Sequence, residues 1–353
     1  MNNQSRPKHI FRNLRALVPV VFLIILCAVL LLPGSLGVLG TRGNKLYALP
    51  PIRTVFLIVM ENHEWSQIKG SSSAPYINNT LLPMASYATQ YYDSGYHPSH
   101  PNYLWLEAGT NFGITKDCLP SSCSQNTTSH LEDQLVNAGL TWKAYEEDIS
   151  GTVCPLSNVK RYDTAHNPNI YFDDDTGTNN KNDPYCIAHN VVYSQLATDL
   201  ANNTVANFNF LGPNECDNMH NTSGCATNNP IRNGDTWLSN NIPPILNSQA
   251  YQNGGVIFIT WDEGNKIKNG TSNGPIGLIV LSPYAKGGGY NNAISYTHAS
   301  TLRTIEEFFN LPLLGAAANA TDLSDLFTSW PLTPTPTDTP IPTPTDTPTP
   351  TST

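Results

Sequence analysis

Five runs of apolar, largely β-branched or aromatic residues punctuate the chain: Thr54–Met60, Leu140–Tyr145, Phe208–Leu211, Val256–Trp261 and Ile276–Leu281. They are nearly continuous rather than alternating, the pattern of strands covered on both faces. Between them, segments with helical spacing lie at about 75–90, 129–138, 190–202, 235–249 and 298–310. Strands alternating with helices predict βαβ units, and so an α/β fold with a mainly parallel central sheet and helices on both faces. Ligands of such sheets bind beyond the carboxyl ends of the strands. Three of the runs end in acidic or amide groups. Thr54–Met60 leads into Glu61-Asn62-His63, Val256–Trp261 into Asp262-Glu263-Gly264, and Phe208–Leu211 into a segment holding Asp217 and His220. The fold is expected to deliver these side chains, distant in sequence, to one crevice.

The two ends of the 353-residue chain read differently. Ala16 to Gly40 carries no charge and follows Arg6, Lys8, Arg12 and Arg15. That is the pattern of a membrane anchor over 16–40 with residues 1–15 in the cytoplasm. A cleaved signal peptide ending near Gly37 or Gly40 is the alternative. Both place the rest of the chain outside the cytoplasm, at the cell membrane or secreted. Residues 331–353 are dominated by Pro, Thr and Asp, an extended disordered tail. A domain over about 50–330 remains, a size suited to one large α/β unit. The net charge of −9 and the lack of a basic stripe exclude a nucleic-acid partner.

Seven Cys are present. Cys27 lies in the apolar run. The other six, Cys118, Cys123, Cys154, Cys186, Cys216 and Cys225, form an even set suited to an oxidising compartment. Proximity in sequence favours Cys118–Cys123, Cys154–Cys186 and Cys216–Cys225. None of the spacings is that of a CxxC zinc site.

The segment Tyr96-His97-Pro98-Ser99-His100-Pro101-Asn102-Tyr103 sets Ser99 at an expected helix start, marked by Pro101. A Ser there faces unpaired amides and the positive end of the helix dipole, a natural seat for a phosphate. The plainer reading makes Ser99 an N-cap and nothing more. Asp262 and Glu263 are adjacent carboxylates that repel unless a cation or a basic group lies between them. Glu61-Asn62 repeats the arrangement on another strand, and oxygen ligands from two strand ends suit a hard or borderline divalent ion. Asp217, His220 and His298 would make a second metal site with open positions. His166, in His166-Asn167-Pro168, is a further candidate for metal or phosphate contact.

Taken in order, Val59-Met60-Glu61-Asn62-His63, the Ser99 segment, Trp142-Lys143-Ala144-Tyr145, His166-Asn167-Pro168, Trp261-Asp262-Glu263-Gly264 and the segment around His298 resemble the bacterial phosphoesterase family. That family includes secreted acid phosphatases, phosphatidylinositol 3-phosphatases and phospholipases C, within the alkaline-phosphatase-like superfamily. The resemblance covers about residues 50–315. It implies Ser99 as nucleophile and Asn102 as holder of a phosphate oxygen. It also implies Glu61, Asn62, Ser99, Asp262 and Glu263 as ligands of an activating metal, and Asp217, His220 and His298 as a second metal or phosphate-binding cluster. One or two divalent ions are expected, with Zn, Ca, Mn and Mg all open. His97 and His166 join Asn102 as candidate substrate contacts. Three departures stand out: Glu61-Asn62 occupies the place of a single Asp in alkaline phosphatases, Asp262-Glu263 the place of Asp-His, and the spacing between Asp217 and His220 differs from that of the phosphodiesterases.

The mechanism implied is a two-step displacement. Ser99 attacks phosphorus in line, a phospho-serine forms, and water hydrolyses it, with a His such as His220 or His298 serving the leaving oxygen. The expected substrate is a small phosphate monoester or a phospholipid headgroup. A phosphodiesterase or phospholipase C is the alternative, and a non-catalytic surface-binding module a remote one. A Ser-His-Asp esterase is disfavoured, because no Gly-x-Ser-x-Gly elbow occurs.

Overall fold

The computed structural model describes residues 52–220, 222–264 and 274–328. The 1–15, 16–40 and 331–353 expectations lie outside the described residues. Among those described, no helix is long and apolar enough to cross a membrane.

Ten strands follow in chain order: β1 (Thr54–Met60), β2 (Ser86–Ala88), β3 (Tyr91–Tyr92), β4 (Trp142–Glu146), β5 (Asn190–Val192), β6 (Phe208–Gly212), β7 (Gly255–Trp261), β8 (Leu278–Leu281), β9 (Tyr290–Asn292) and β10 (Tyr296–Thr297). Eight form one sheet in the order β5-β4-β6-β1-β7-β8-β2-β9, and β10 pairs with β3 in a small second sheet. All pairings in the large sheet are parallel except those of β8, which runs antiparallel to β7 and β2. The mainly parallel α/β fold read from the sequence is therefore the one observed.

Every position of β1, β6, β7 and β8 is buried, so both faces of the sheet are covered. The register identifies two of the covering helices. Leu57 pairs with Phe258 and Met60 with Trp261, so Phe258 and Met60 point to opposite faces. The Phe258 ring stacks on Phe308 of the helix His298–Phe309, centroids 6.4 Å apart. Gly234, in the helix Pro230–Leu246, sits against Met60 and Met219, where a side chain would collide with both.

Local chemistry moves several expected boundaries. The segment expected as one helix over 75–90 is a π-turn at Ile77–Leu81 and a short helix Leu82–Met84, after which Ser86–Ala88 becomes β2 between β8 and β9. Pairing within the sheet overrides helical spacing there. The segment at 190–202 likewise opens as β5, where β-branched Val191 and Val192 pair with β4, and is helical only from Gln195 to Asn202. The helix expected at 235 starts earlier, at Pro230, because the Asn229 side chain caps Arg232 N and Pro suits the first turn.

The helix Ser99–Ala108 lies over a small cluster of Leu104, Ala108, Ile170, Tyr171, Phe172, Cys154 and Cys186. Its last turn closes on Gly109 at φ +65°, whose amide returns to Trp105 O at 3.0 Å. The three disulfides are Cys118–Cys123, Cys154–Cys186 and Cys216–Cys225, the pairing that sequence proximity favoured. All are local clasps, and Cys154–Cys186 anchors the cluster beneath this helix.

Gly109→Ala should destabilise the domain by about 2 kcal/mol or more, since Ala strains at this φ and its Cβ would lie 2.6 Å from Leu314 O. Urea unfolding reads the difference; an unchanged midpoint would count against the tight apposition of this helix end with Leu314. Mass spectrometry of alkylated, unreduced protein should find no free thiol among the six paired Cys, and several alkylated ones would contradict the pairing.

Candidate active site

The chain turns sharply where β1 and β7 end, and those turns build the site. Glu61 follows β1 and is fully buried. Asn62 comes next at φ +51°, a left-handed conformation that Asn tolerates better than most residues. Its backbone N–H donates to Asp262 Oδ1 at 3.0 Å, and its side-chain amide donates to Glu61 Oε2 at 3.1 Å. Asp262 and Glu263 follow the neighbouring strand β7 and are also buried. The parallel pairing of β1 with β7 thus sets Glu61 beside Asp262, 201 positions apart in sequence.

Ser99 is the first residue of its helix, with Pro98 before it. It does not serve as the N-cap. Its Oγ donates to Glu61 Oε2 at 3.0 Å and also faces the Asp262 carboxyl. Tyr103, one turn along the same face, donates its hydroxyl to the other Glu61 oxygen at 2.5 Å. Among the described residues, no hydrogen-bond partner reaches the buried Asp262 Oδ2. Glu263 accepts from His97 Nδ1 at 2.8 Å and from Asn102 at 3.3 Å.

Three carboxyls thus crowd one buried space. Burial, then the Asp262 charge, pushes Glu61 well above the usual range, although the Tyr103 and Ser99 hydroxyls oppose this. Burial and the Glu263 charge raise Asp262 to about 8. Burial also raises Glu263, against the pull of His97. His97 is raised in turn, first by its hydrogen bond to Glu263. The unpartnered Asp262 oxygen and the surplus of negative charge are what a bound cation would relieve. The donor set of Glu61, Asn62, Ser99, Asp262 and Glu263 is rich in hard oxygen atoms, and fits a divalent ion.

The remaining candidates fall into distinct places. His166 Nε2 is 3.4 Å from Glu61 Oε1, and its ring stacks on Tyr103. Burial lowers it to about 4. His220 is exposed, its ring 6.0 Å from that of His166. The second metal cluster expected from Asp217, His220 and His298 is not assembled. His298 is fully buried, with Nε2–H donating to the Asp262 carbonyl at 2.6 Å and Nδ1 held by Tyr91. Both ring nitrogens are committed, and it pins the backbone of a candidate ligand. Asp217 turns instead to Glu147, with which it shares a hydrogen bond between carboxyls. Asn102 is also buried and committed. Its Nδ2 donates to Tyr96 O and Glu263, and its Oδ1 accepts from Ser94. Nor is the helix start an open anion seat, because His100 N–H donates to Asp117 at 3.1 Å and Pro101 has no N–H.

Sequence reasoning missed Tyr103 and Asp93. Tyr103 stands four residues after Ser99, and that helical spacing was a usable signal. Asp93 is buried with its carboxylate on Gly95 N and Gly264 N, and 3.9 Å from His97. No local pattern marked it.

Comparison with known proteins now bears on this geometry. The model of the Phosphoesterase family matches residues 85–312. The chain belongs to the phosphoesterase family. The phosphatidylinositol-3-phosphatase of Mycobacterium tuberculosis is 30% identical over 323 residues, covering 92% of this chain and 97% of that protein. A probable acid phosphatase of Kluyveromyces lactis is 24% identical over 290 residues, 77% of this chain and 64% of that one. A solved protein of glycosaminoglycan metabolism by bacteroides thetaiotaomicron shares the fold at a TM-score of 0.54 and 12% identity, over 78% of this chain and 82% of that chain. The phosphoesterase is accordingly a hydrolase of phosphoric ester bonds.

The raised carboxyls fix a pH dependence for the metal-free protein. Between the ordinary Asp range and about 8, the folded state holds a proton on Asp262 that the unfolded chain releases. Stability therefore falls as pH rises through that window. Asp262→Asn removes this effect. In chelator, the variant should melt above the parent at pH 8, with the gap closing towards pH 4. A variant that melts below the parent at pH 8 would contradict the charge crowding.

Proposed function

We propose that the protein is an extracytoplasmic, metal-dependent phosphatase of the acid phosphatase type, cleaving phosphate monoesters through a phospho-Ser99 intermediate. One observation carries the reading: the Ser99 hydroxyl lies between two buried carboxyls, one of which ends in an oxygen with no partner among the described residues. Glu61, Asn62, Asp262 and Glu263, with Ser99, would hold the divalent ion. When bound, it supplies Lewis-acid chemistry that favours the ionised serine and offsets charge on the phosphoryl oxygens.

This chain's own residues then have separate tasks. Tyr103 and the helix hold Glu61 and Ser99 at a fixed spacing, so the nucleophile is aimed before substrate arrives. Ser99 releases its proton to solvent water and attacks phosphorus in line, and the ester oxygen departs with the bond to phosphorus broken. We assign the proton that this oxygen takes up to His220, which is exposed with its ring 6.0 Å from that of His166. Water then cleaves the phospho-serine and restores Ser99. His97 and Asn102 keep Glu263 in position. His298 holds the Asp262 backbone, which replaces its expected role at the phosphate.

The name of the Mycobacterium tuberculosis relative supports a phosphorylated lipid headgroup as one substrate class, with the scissile group a monoester. Three disulfides support the oxidising side of the membrane, in keeping with the anchor or signal expected over 16–40.

Ser99→Ala should lower turnover of p-nitrophenyl phosphate by about 10³-fold or more while the protein stays folded. Asp262→Asn should lose bound metal and rate together. The monoester should turn over faster than bis-p-nitrophenyl phosphate, and a chelator should stop both. Near-parental activity of Ser99→Ala would end the nucleophile assignment. A faster diester would move the enzyme to the phosphodiesterase reading.

A further inference from the structure

Away from Ser99, at the far end of its helix, a second group of ionisable side chains is sealed in the protein. His130 is fully buried, its ring stacked on Phe172 at 4.0 Å. Around it stand Glu107 from the last turn of the Ser99–Ala108 helix, Glu132 from the helix Leu131–Asn137, and Asp174 and Asp175 from the short helix Asp173–Thr176. Glu107, Glu132 and Asp175 are all nearly or fully buried. Ligand atoms of Glu107, His130 and Glu132 lie within 4.8 Å of one another, and so do those of His130, Asp174 and Asp175.

The two sides of the imidazole differ. Nε2 faces Asp174, with oxygens at 3.0 and 3.2 Å, so Asp174 can fix the proton on that nitrogen. Nδ1 faces Glu132 Oε2 at 3.2 Å and Asp175 Oδ2 at 3.7 Å. In the Nε2–H tautomer, a lone pair therefore points at two carboxylates, which is repulsive unless a cation lies between them. Two further facts point the same way. Glu132 Oε1 and Asp175 Oδ2 are buried oxygens without a hydrogen-bond partner among the described residues. The carboxyl groups outnumber the single His, and buried carboxylates require pairing or a metal. A carboxylate on the outer nitrogen of a metal-binding His is the usual support for such a ligand.

We propose that His130 Nδ1, Glu132 and Glu107, with Asp175 facing the same nitrogen and Asp174 as the positioning partner, form a second divalent cation site, independent of Ser99. Its mixed nitrogen and oxygen donors suit Zn²⁺ or Mn²⁺. Its role is structural. It ties two neighbouring helices to the end of the helix that carries the nucleophile, whose Glu107 already accepts from Leu131 N at 3.0 Å.

The test uses the full chain carrying Asp262→Asn, so that the Ser99 site contributes no ion. Stripped by chelator and titrated with ZnCl₂ or MnCl₂, it should bind one ion by calorimetry and elemental analysis, and its melting temperature should rise by several degrees. Adding Glu132→Gln or Glu107→Gln should abolish both effects. On its own, Glu132→Gln should keep phosphatase turnover within about twofold of the parent. If either variant fails to fold, histidine ring NMR of the Asp262→Asn chain decides: Zn²⁺ should shift His130 Nδ1 while Nε2 stays protonated. No saturable binding of either ion, retained binding in the double variants, or a His130 ring protonated on both nitrogens and unmoved by Zn²⁺ would overturn the proposal.

Discussion

The site depends on the repulsion between carboxyls that the sheet forces together. Parallel pairing of β1 with β7 leaves Glu61 and Asp262 side by side at the same edge, and Glu263 follows in the next position. Burial makes their charges costly, and among the described residues hydrogen bonds and His97 are what stabilise them. The protein holds a cluster that would be more stable neutral, or with a cation within it. Such strain is tolerated where function depends on it.

Much of the surrounding structure serves to hold these groups in place. Tyr103 ties Glu61 to the Ser99–Ala108 helix, Asn62 ties it to Asp262, and His298 holds the Asp262 carbonyl. Asn102 and His97 restrain Glu263. The helix is fixed in turn at its far end, by Gly109 against Leu314 and by the disulfide-bearing cluster below it. A serine at a helix start is common. One whose hydroxyl is shared between carboxyls from two strand ends is the arrangement on which the proposed role of Ser99 rests.

The sequence made this centre legible because apolar strands announce where they end. Glu61, Asp262 and Glu263 could be read as convergent from that alone, and Ser99 from the helix start marked by Pro101. The disulfide pairing followed from proximity. Less legible was everything decided by tertiary contact. His298 and Asp217 looked like ligands by residue type, but burial and distant partners, Tyr91 and Glu147, claimed them. Asn102 was legible as a site residue, while its commitment to Ser94, Tyr96 and Glu263 was not. Ser86–Ala88 and Asn190–Val192 became strands because a neighbouring edge was available, which no local period records.

The most direct test of the account is to trap the intermediate. Protein mixed with a phosphate monoester, quenched in acid within milliseconds and digested, should yield one phosphorylated peptide by mass spectrometry, with the phosphoryl group on Ser99. The signal should vanish in the Asp262→Asn variant and in chelator. Phosphate carried on a histidine or another serine, or steady turnover with no phosphopeptide at any quench time, would contradict the central claim.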